Sequence, residues 1–504
     1  MSYLGLDLGS SSAKAAAFSL DGSMLATAKV PYLLESPREG WREFNPETQW
    51  QALLGAIRAV TSTTEVHHDP IRAIGISVAG EAVVPVAVDK SPLYNALASF
   101  DSRGSEYVPL LRETIGEATL FAITGQPLDG MYTLMRVLWF REHMPSLFRQ
   151  TWKFCLWQEL ILLRLGLEPV VDYSNAARTM AFDIHAHEWC TDILAPLQLS
   201  SELFAAPVPQ GAVIGSLGKQ VADELGVPAG CAIVAGGLDQ SCACLGLGVV
   251  DDTAAAIGTG SVEAVDVPIL GTSEVPYRPD QFLFVTPYAP GGYLATGMNF
   301  TAGSAIEWYR SLTGISSVDD LSLYRSATMA DLSPSSLLVL PQFAGSFSPK
   351  RNADARAAIF GLSLSTTRAE IARALVEALV FELRFTIESM EEAGLRLGAA
   401  RNGGGGSRSA RWMRLKASIL DRSIAVPEIV DSSCLGAALL AAVADRAFPD
   451  CSSAAADMVL MSRWYQPEAS VTDAYHDRYQ EYCAVRELLC DQQSAFSPAT
   501  VRQE

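Results

Sequence analysis

Four short stretches of this 504-residue chain bring chemically capable residues to close spacing. Asp7-Leu8-Gly9-Ser10-Ser11-Ser12-Ala13-Lys14 sets a carboxylate at the end of an apolar run, then a donor-rich turn, then a cation. Backbone N–H groups and the hydroxyls of Ser10, Ser11 and Ser12 can converge on a phosphate there, with Lys14 adding charge. Asp7 can hold Mg2+ through water. A polar hairpin with a solvated carboxylate would satisfy the same residues, and the spacing is not that of a Walker A loop. Gly258-Thr259-Gly260-Ser261 is a second turn of this type. Two such turns, one per domain, could grip a single polyphosphate from both sides of a cleft. Gly403-Gly404-Gly405-Gly406 removes every side chain from four positions, so that backbone can approach a flat ring closely. A flexible loop is the other reading. Asp239 follows a buried apolar run and two glycines, Gly236 and Gly237. An acid at a strand's C-terminal end projects into the crevice where α/β sheets bind ligands; capping the next helix is its plainer role.

The elements around these stretches alternate between strand and helix patterns. Tyr3–Leu8, Ala13–Leu20 and Met24–Val30 read as strands, the last two joined by an Asp21-Gly22 turn. Asn45-Pro46 opens a helix to about Val60, with Asn as N-cap and Pro at the first helical position. Ala73–Val78, Ala82–Val88 and Ala229–Ala235 follow as strands. Thr253–Ile257 and Val262–Val267 then repeat the opening strand–turn–strand pattern about 250 residues on, which predicts two related α/β halves. Thr367-Arg368-Ala369-Glu370 is a capping box opening a long helix that stops near Gly394. Leu435–Ala444 is a helix of small residues, able to pack closely on a neighbour or a ligand. The boundary between halves falls near residue 247. No low-complexity linker intervenes, so the halves are expected to face each other across a cleft.

Composition excludes several classes. With 49% hydrophobic and 18% charged residues the chain is not disordered. A net charge of −19 and the lack of any Lys/Arg-rich run argue against nucleic acid and anionic membranes as partners. No apolar stretch reaches transmembrane length and no basic leader opens the sequence, so the expected location is cytoplasmic. The nine cysteines are odd in number and lie mostly in apolar runs, which reads as reduced core thiols; none has zinc-site spacing.

With these pieces in order, the sequence resembles the FGGY carbohydrate kinase family, within the sugar kinase, heat-shock-protein-70 and actin superfamily, from Leu4 to about Ala444. Asp7–Lys14 is similar to the first phosphate motif and Gly258–Ser261 to the second. Gly404-Gly405-Gly406-Ser407-Arg408-Ser409 is similar to the adenosine motif, and Asp431–Ala442 to the helix after it. Asp239 matches the catalytic base, and Asp239-Gln240 resembles the form in glycerol kinases. Trp41–Pro46, Asp101-Ser102-Arg103, Asp172-Tyr173-Ser174 and Ser348-Pro349 fall in family order.

The chain also departs from the pattern. Gly260 and Ser261 are swapped, Phe100 replaces a Trp, and Arg136 stands where Lys is common. Ala79-Gly80-Glu81-Ala82 occupies the place of a Gln-Met-His triplet, and Gly345-Ser346-Phe347 that of Gly-Glu-Arg.

The resemblance implies an α/β fold of two ribonuclease H-like, actin-like ATPase domains around a catalytic cleft. Residues 1–247 would carry the sugar site, first phosphate loop and base, 248–490 the second phosphate loop and adenosine site, and 491–504 a tail. It implies a kinase using ATP and Mg2+ to phosphorylate a small sugar or polyol, a pentulose such as xylulose favoured. Alternatives are a gluconate, glycerol or erythritol kinase, or a non-kinase ATPase. Asp239 would be the base, Asp7 the metal residue, and Glu81, Asp101, Arg103 and Gln240 the acceptor residues. Ser10, Ser11, Ser12, Lys14, Gly258, Thr259, Gly260, Ser261, Gly404, Gly405, Gly406 and Ser407 would hold ATP. The only partner required is the small-molecule substrate, and a homodimer is compatible with this reading.

Overall fold

The computed structural model describes residues 1–271, 281–314 and 333–490. The tail expected at 491–504 lies outside the described residues. Strands β1 (Ser2–Leu8), β2 (Ser12–Ser19), β3 (Met24–Pro31), β4 (Ile71–Val78), β5 (Val213–Ser216) and β6 (Ala232–Leu238) form one six-stranded sheet in the order β5-β6-β4-β1-β2-β3. β1 runs antiparallel to β2, with Asp7 opposite Lys14, and parallel to β4. Every residue of β1 is buried, the mark of a strand covered on both faces. Helix α1 (Pro46–Thr61) is capped as its sequence predicts, with the Asn45 side chain accepting from Glu47 and Thr48 N–H.

The second sheet comprises β7 (Ala254–Thr259), β8 (Glu263–Ile269), β9 (Phe284–Pro287), β10 (Tyr293–Asn299), β11 (Ala399–Gly403), β12 (Ile424–Pro427) and β13 (Met461–Tyr465), in the order β9-β10-β8-β7-β11-β12-β13. Its wiring repeats the first. β7 is antiparallel to β8 and parallel to β11, as β1 is to β2 and β4. An antiparallel strand closes the far edge of each run, β5 on β6 and β13 on β12. The strand–turn–strand repeat in the sequence is therefore a repeat of topology, and each turn sits at the same place in its sheet.

The lobes join through helices. α2 (Asp239–Gly246) crosses α5 (Ser432–Ala444), and α5 lies on β1 and β4 of the other lobe. A Cβ at Gly5 would stand 1.8 Å from the Cys434 carbonyl oxygen, and one at Gly75 1.9 Å from that of Ala437. Only glycine permits that approach. The small residues of α5 thus serve a neighbouring sheet. The capping box of α3 (Arg368–Glu392) forms as expected, and α4 (Ala410–Leu420) follows the glycine run.

Two strand expectations shift. Ala82–Val88 contributes only Val84–Val86, because Gly80-Glu81 turns the chain first. β6 runs on through Gly236 and Gly237 to Leu238, held by its parallel pairing of Leu238 with Val78, so the two glycines lie inside the strand, at an irregularity in its register. Eight of the nine cysteines, those from Cys155 to Cys483, are free thiols, and six of these are buried. No described helix is long and apolar enough to cross a membrane.

Candidate active site

A cavity of about 530 Å3 opens between the lobes. Asp239, Gln240, Glu81 and Ser10 line it from one side, Phe300 and Arg351 from the other. Asp239 is the first residue of α2, carried there by β6. Its strand end is fixed by Leu238 N–H donating to Ser174 Oγ at 2.9 Å, and Ser174 sits in a short helix capped by Asp172. Gln240 N–H donates to Asp239 Oδ1 at 2.8 Å. Burial, and next the negative charge of Asp7, push the Asp239 carboxyl up to about 7. A carboxylate poised there is suited to accept a proton near neutral pH.

Asp7 is buried at the end of β1, 3.4 Å from Lys14 Nζ and 3.5 Å from Ser77 Oγ. Burial raises its carboxyl against the pull of Lys14. Lys14 also reaches Asp431 of the second lobe at 3.3 Å, and Arg408 reaches the same carboxylate at 3.1 Å. Against the cost of burial, Asp7 and Asp431 hold the Lys14 ammonium above its usual range. Ser10 and Ser11 are exposed at the turn, whereas Ser12 is buried as the first residue of β2. Among the described residues no group of three or more metal-ligating side chains occurs. Asp7 and Asp239 do repel one another across the site, an arrangement that a divalent cation bound with polyphosphate would relieve.

The second turn is built differently. Thr259 turns its hydroxyl inward, where it accepts from Lys416 Nζ at 2.7 Å and Asn402 Nδ2 at 3.2 Å and donates to Glu263 Oε1 at 2.8 Å. Lys416 is fully buried and pairs with Glu263 at 2.6 Å; burial lowers its ammonium against that partner. Thr259 can therefore serve a phosphate only through the loop it shapes. Gly260 and Ser261 are exposed beside it, and Gly258 is half-buried. A Cβ at Gly404 would stand 2.5 Å from the Thr259 carbonyl oxygen and one at Gly406 2.5 Å from its Cγ2, while one at Gly405 would meet nothing within 4 Å. Two of the glycines thus let the loops meet, and Gly405 leaves open space. Ser407 is buried and donates to the Gly404 carbonyl at 2.7 Å, closing the turn.

In the cavity wall, Glu81 adopts φ +62°, a left-handed conformation costly for a non-glycine residue. It is held there by Thr133 Oγ1 donating to its carbonyl at 2.9 Å and by Arg178 Nε on its carboxylate at 2.5 Å. Arg178 also donates to Gln126 Oε1 at 2.6 Å. Of Asp101 and Arg103, expected as acceptor residues, Asp101 lines the cavity and Arg103 packs behind it. Arg103 donates to both Asp101 oxygens at 2.8 and 2.6 Å, pairs with Glu43 at 2.8 Å and stacks on Trp41. The side chains of Asp101 and Arg103 are 0% and 2% exposed. Arg136, fully buried, donates to the carbonyls of Ala98, Ser99, Asp101, Gly130 and Tyr132, so it ties together two loops of the wall. Arg178, Asp129, Arg351 and Lys416 have no local sequence signal, since the charged partners lie 97, 222 and 153 residues apart in the pairs Arg178–Glu81, Arg351–Asp129 and Lys416–Glu263. Only the repeated occurrence of cations in apolar runs hints at burial.

Residues 2–246 match the FGGY family of carbohydrate kinases, N-terminal domain, and residues 254–444 its C-terminal domain. The chain is similar to xylulose kinase of Bacillus subtilis, 26% identical over 484 residues, covering 95% of each chain. It is 28% identical to glycerol kinase of Brevibacillus brevis over 461 residues, covering 88% of this chain and 89% of that one. Among solved structures, ligand-bound xylulose kinase from Lactobacillus acidophilus superposes with a TM-score of 0.86 at 22% identity over 98% of this chain and all of the other. Gluconate kinase from the same organism gives 0.86 at 22%, covering 98% and 99%. These likenesses agree on the two-domain α/β fold.

Proposed function

This chain belongs to the FGGY family of carbohydrate kinases, and we propose that its acceptor is a neutral sugar, a pentulose such as xylulose being favoured. It is an ATP-dependent sugar kinase. The observation that carries the choice of acceptor is the pairing in the cavity wall. Glu81 offers a carboxylate to hydroxyls while Arg178 and Arg351, the lining arginines, are each held by a carboxylate of the protein. A wall of that kind suits hydroxyl groups and leaves no spare cation for an acid.

In the proposed mechanism Asp239 accepts the proton of the attacking hydroxyl as its oxygen bonds to the γ-phosphorus in line, while the bond to the β,γ-bridging oxygen breaks and ADP leaves. Phosphoryl transfer asks the protein mainly for positioning and charge stabilisation. Ser10, Ser11 and Lys14 would hold the phosphates from one lobe and the Gly258–Ser261 turn from the other, and the open space at Gly405 would leave room for the adenosine. Asp7 would hold Mg2+ through water, and the ion would neutralise charge on the phosphates. Glu81 and Gln240 would orient the acceptor, with Asp101 and Arg103 bracing the wall. Asp239-Gln240 favours a polyol as the second reading of the acceptor.

The test is a coupled ADP-release assay across ketoses, polyols and aldonates. Acceptor-dependent release with a neutral pentulose or polyol is expected. Release independent of acceptor, or a clear preference for gluconate, would reject the proposal.

A further inference from the structure

The acceptor cavity is bounded by two arginine–carboxylate pairs joined through aromatic rings. Arg178, paired with Glu81, lies 4.3 Å over the ring of Phe284. Phe284 stacks with Phe347 at 5.8 Å and 26°. Arg351 lies 4.6 Å over Phe347 and donates from Nε to Asp129 Oδ2 at 3.0 Å. Phe284, Phe347 and Arg351 belong to the second lobe, and Glu81, Arg178 and Asp129 to the first, so the Asp129–Arg351 pair ties the lobes directly, whereas the Glu81–Arg178 pair lies within the first lobe and meets the second through Phe284.

The two pairs differ in access. The side chains of Arg178 and Glu81 are 4% and 8% exposed, those of Arg351 and Asp129 27% and 17%. Asp129 is itself fixed, its Oδ1 accepting from Met131 N–H at 3.0 Å. The Ser346 carbonyl accepts a longer bond from Arg351 at 3.4 Å. An ion pair with one fixed member and some solvent access can exchange partners, which the buried pair cannot do without leaving a charge stranded.

We propose that Asp129 and Arg351 determine acceptor specificity: Asp129 occupies the guanidinium that a charged acceptor's carboxylate would otherwise take, so the site selects neutral acceptors. This rests on the reading of the cavity as the acceptor site of a neutral-sugar kinase. An aldonate would have to displace a carboxylate that the chain holds in place, and would meet that carboxylate's repulsion after doing so. A neutral hydroxyl end needs no such exchange. The pair also closes the cavity from lobe to lobe beside Phe347, so it bears on the acceptor and not on the nucleotide.

The two partners give opposite expectations. Asp129→Asn keeps the shape and frees Arg351, so the ratio of kcat/KM for gluconate to kcat/KM for xylulose should rise on the order of tenfold, the scale of one charge-assisted hydrogen bond. Arg351→Gln leaves Asp129 unpaired, so the same ratio should fall. A merely structural pair would move both variants alike. Both side chains are partly exposed, and an unchanged ATP KM and melting temperature verify the fold of each variant. Asp129→Ser serves as a second way to free Arg351. Ratios that stay within twofold of wild type, or shift in the same direction in both variants, would overturn the specificity role while leaving the kinase reading intact. Wild-type enzyme that turns over no neutral acceptor, or prefers gluconate, would overturn both.

Discussion

On the proposed nucleotide side of the cleft, Gly404 meets the backbone of Thr259 and Gly406 its side chain, whereas on the proposed acceptor side Glu81, Asp101 and Asp129 are each held by an arginine. Two of those arginines, Arg178 and Arg351, come from stretches 97 and 222 residues away from their carboxylates. The first kind of site is set by which residues lack side chains, and its shape follows from sheet topology. The second depends on long charged side chains whose geometry can change with a single substitution. One fold can therefore keep its grip on ATP while the acceptor wall is rebuilt.

Variants can separate the two sides. The largest expected effect is at their junction: Asp239→Asn keeps the shape but removes the proton acceptor, so kcat should fall on the order of 10²–10⁴-fold. Calorimetry should find ATP binding little changed, since the carboxylate lines the acceptor cavity. Lys416→Met comes next. It strands Glu263 in a fully buried site and should destabilise the second lobe by about 3–5 kcal/mol, read by denaturant unfolding. Lys416→Met with Glu263→Leu removes both charges and should restore most of that loss, while the ATP KM stays raised because Thr259 and Asn402 lose their common partner.

On the acceptor side Glu81→Ala should raise the sugar KM roughly 5- to 150-fold, the cost of about 1–3 kcal/mol for unpaired polar groups, with the ATP KM unmoved. It also strands Arg178, so a lower melting temperature should accompany it. Gly405→Val is the mirror test. Its side chain meets open space in the protein, so the fold should be unaffected, and the ATP KM should rise by about tenfold without a change for the sugar. Unchanged ATP affinity in a folded Gly405→Val variant would reduce that position to a loop.

The same contrast decides what was legible in the sequence. The first three strands, the α1 cap, the α3 capping box and the repeated turn follow from local pattern, and the structure forms them with small shifts. The C-terminal end of β6 moved because parallel pairing with β4 extends it through the two glycines expected to follow the strand. Ser12, Thr259 and Ser407 read as ligand hydroxyls, yet each is buried in the structure, and the hydroxyls of Thr259 and Ser407 are bonded to protein atoms. Spacing gives a hydroxyl's place in a turn but not the side to which it rotates. Arg178 and Arg351 carried no local signal, because their roles exist only once distant carboxylates face them.

Asp239, the proposed base, is held by burial and by Asp7 at a proton affinity near neutrality. A base acts only when ionised, and this carboxyl is raised, so activity should be lost as pH falls through about 7. The most direct measurement is kcat/KM for the acceptor against pH, in wild type and in Asp239→Asn. The expected result is a roughly tenfold fall per pH unit below the transition in wild type and no such transition in the variant. A wild-type profile that stays flat to pH values typical of an ordinary carboxylate, or a variant keeping more than about a tenth of wild-type kcat, would contradict the claim.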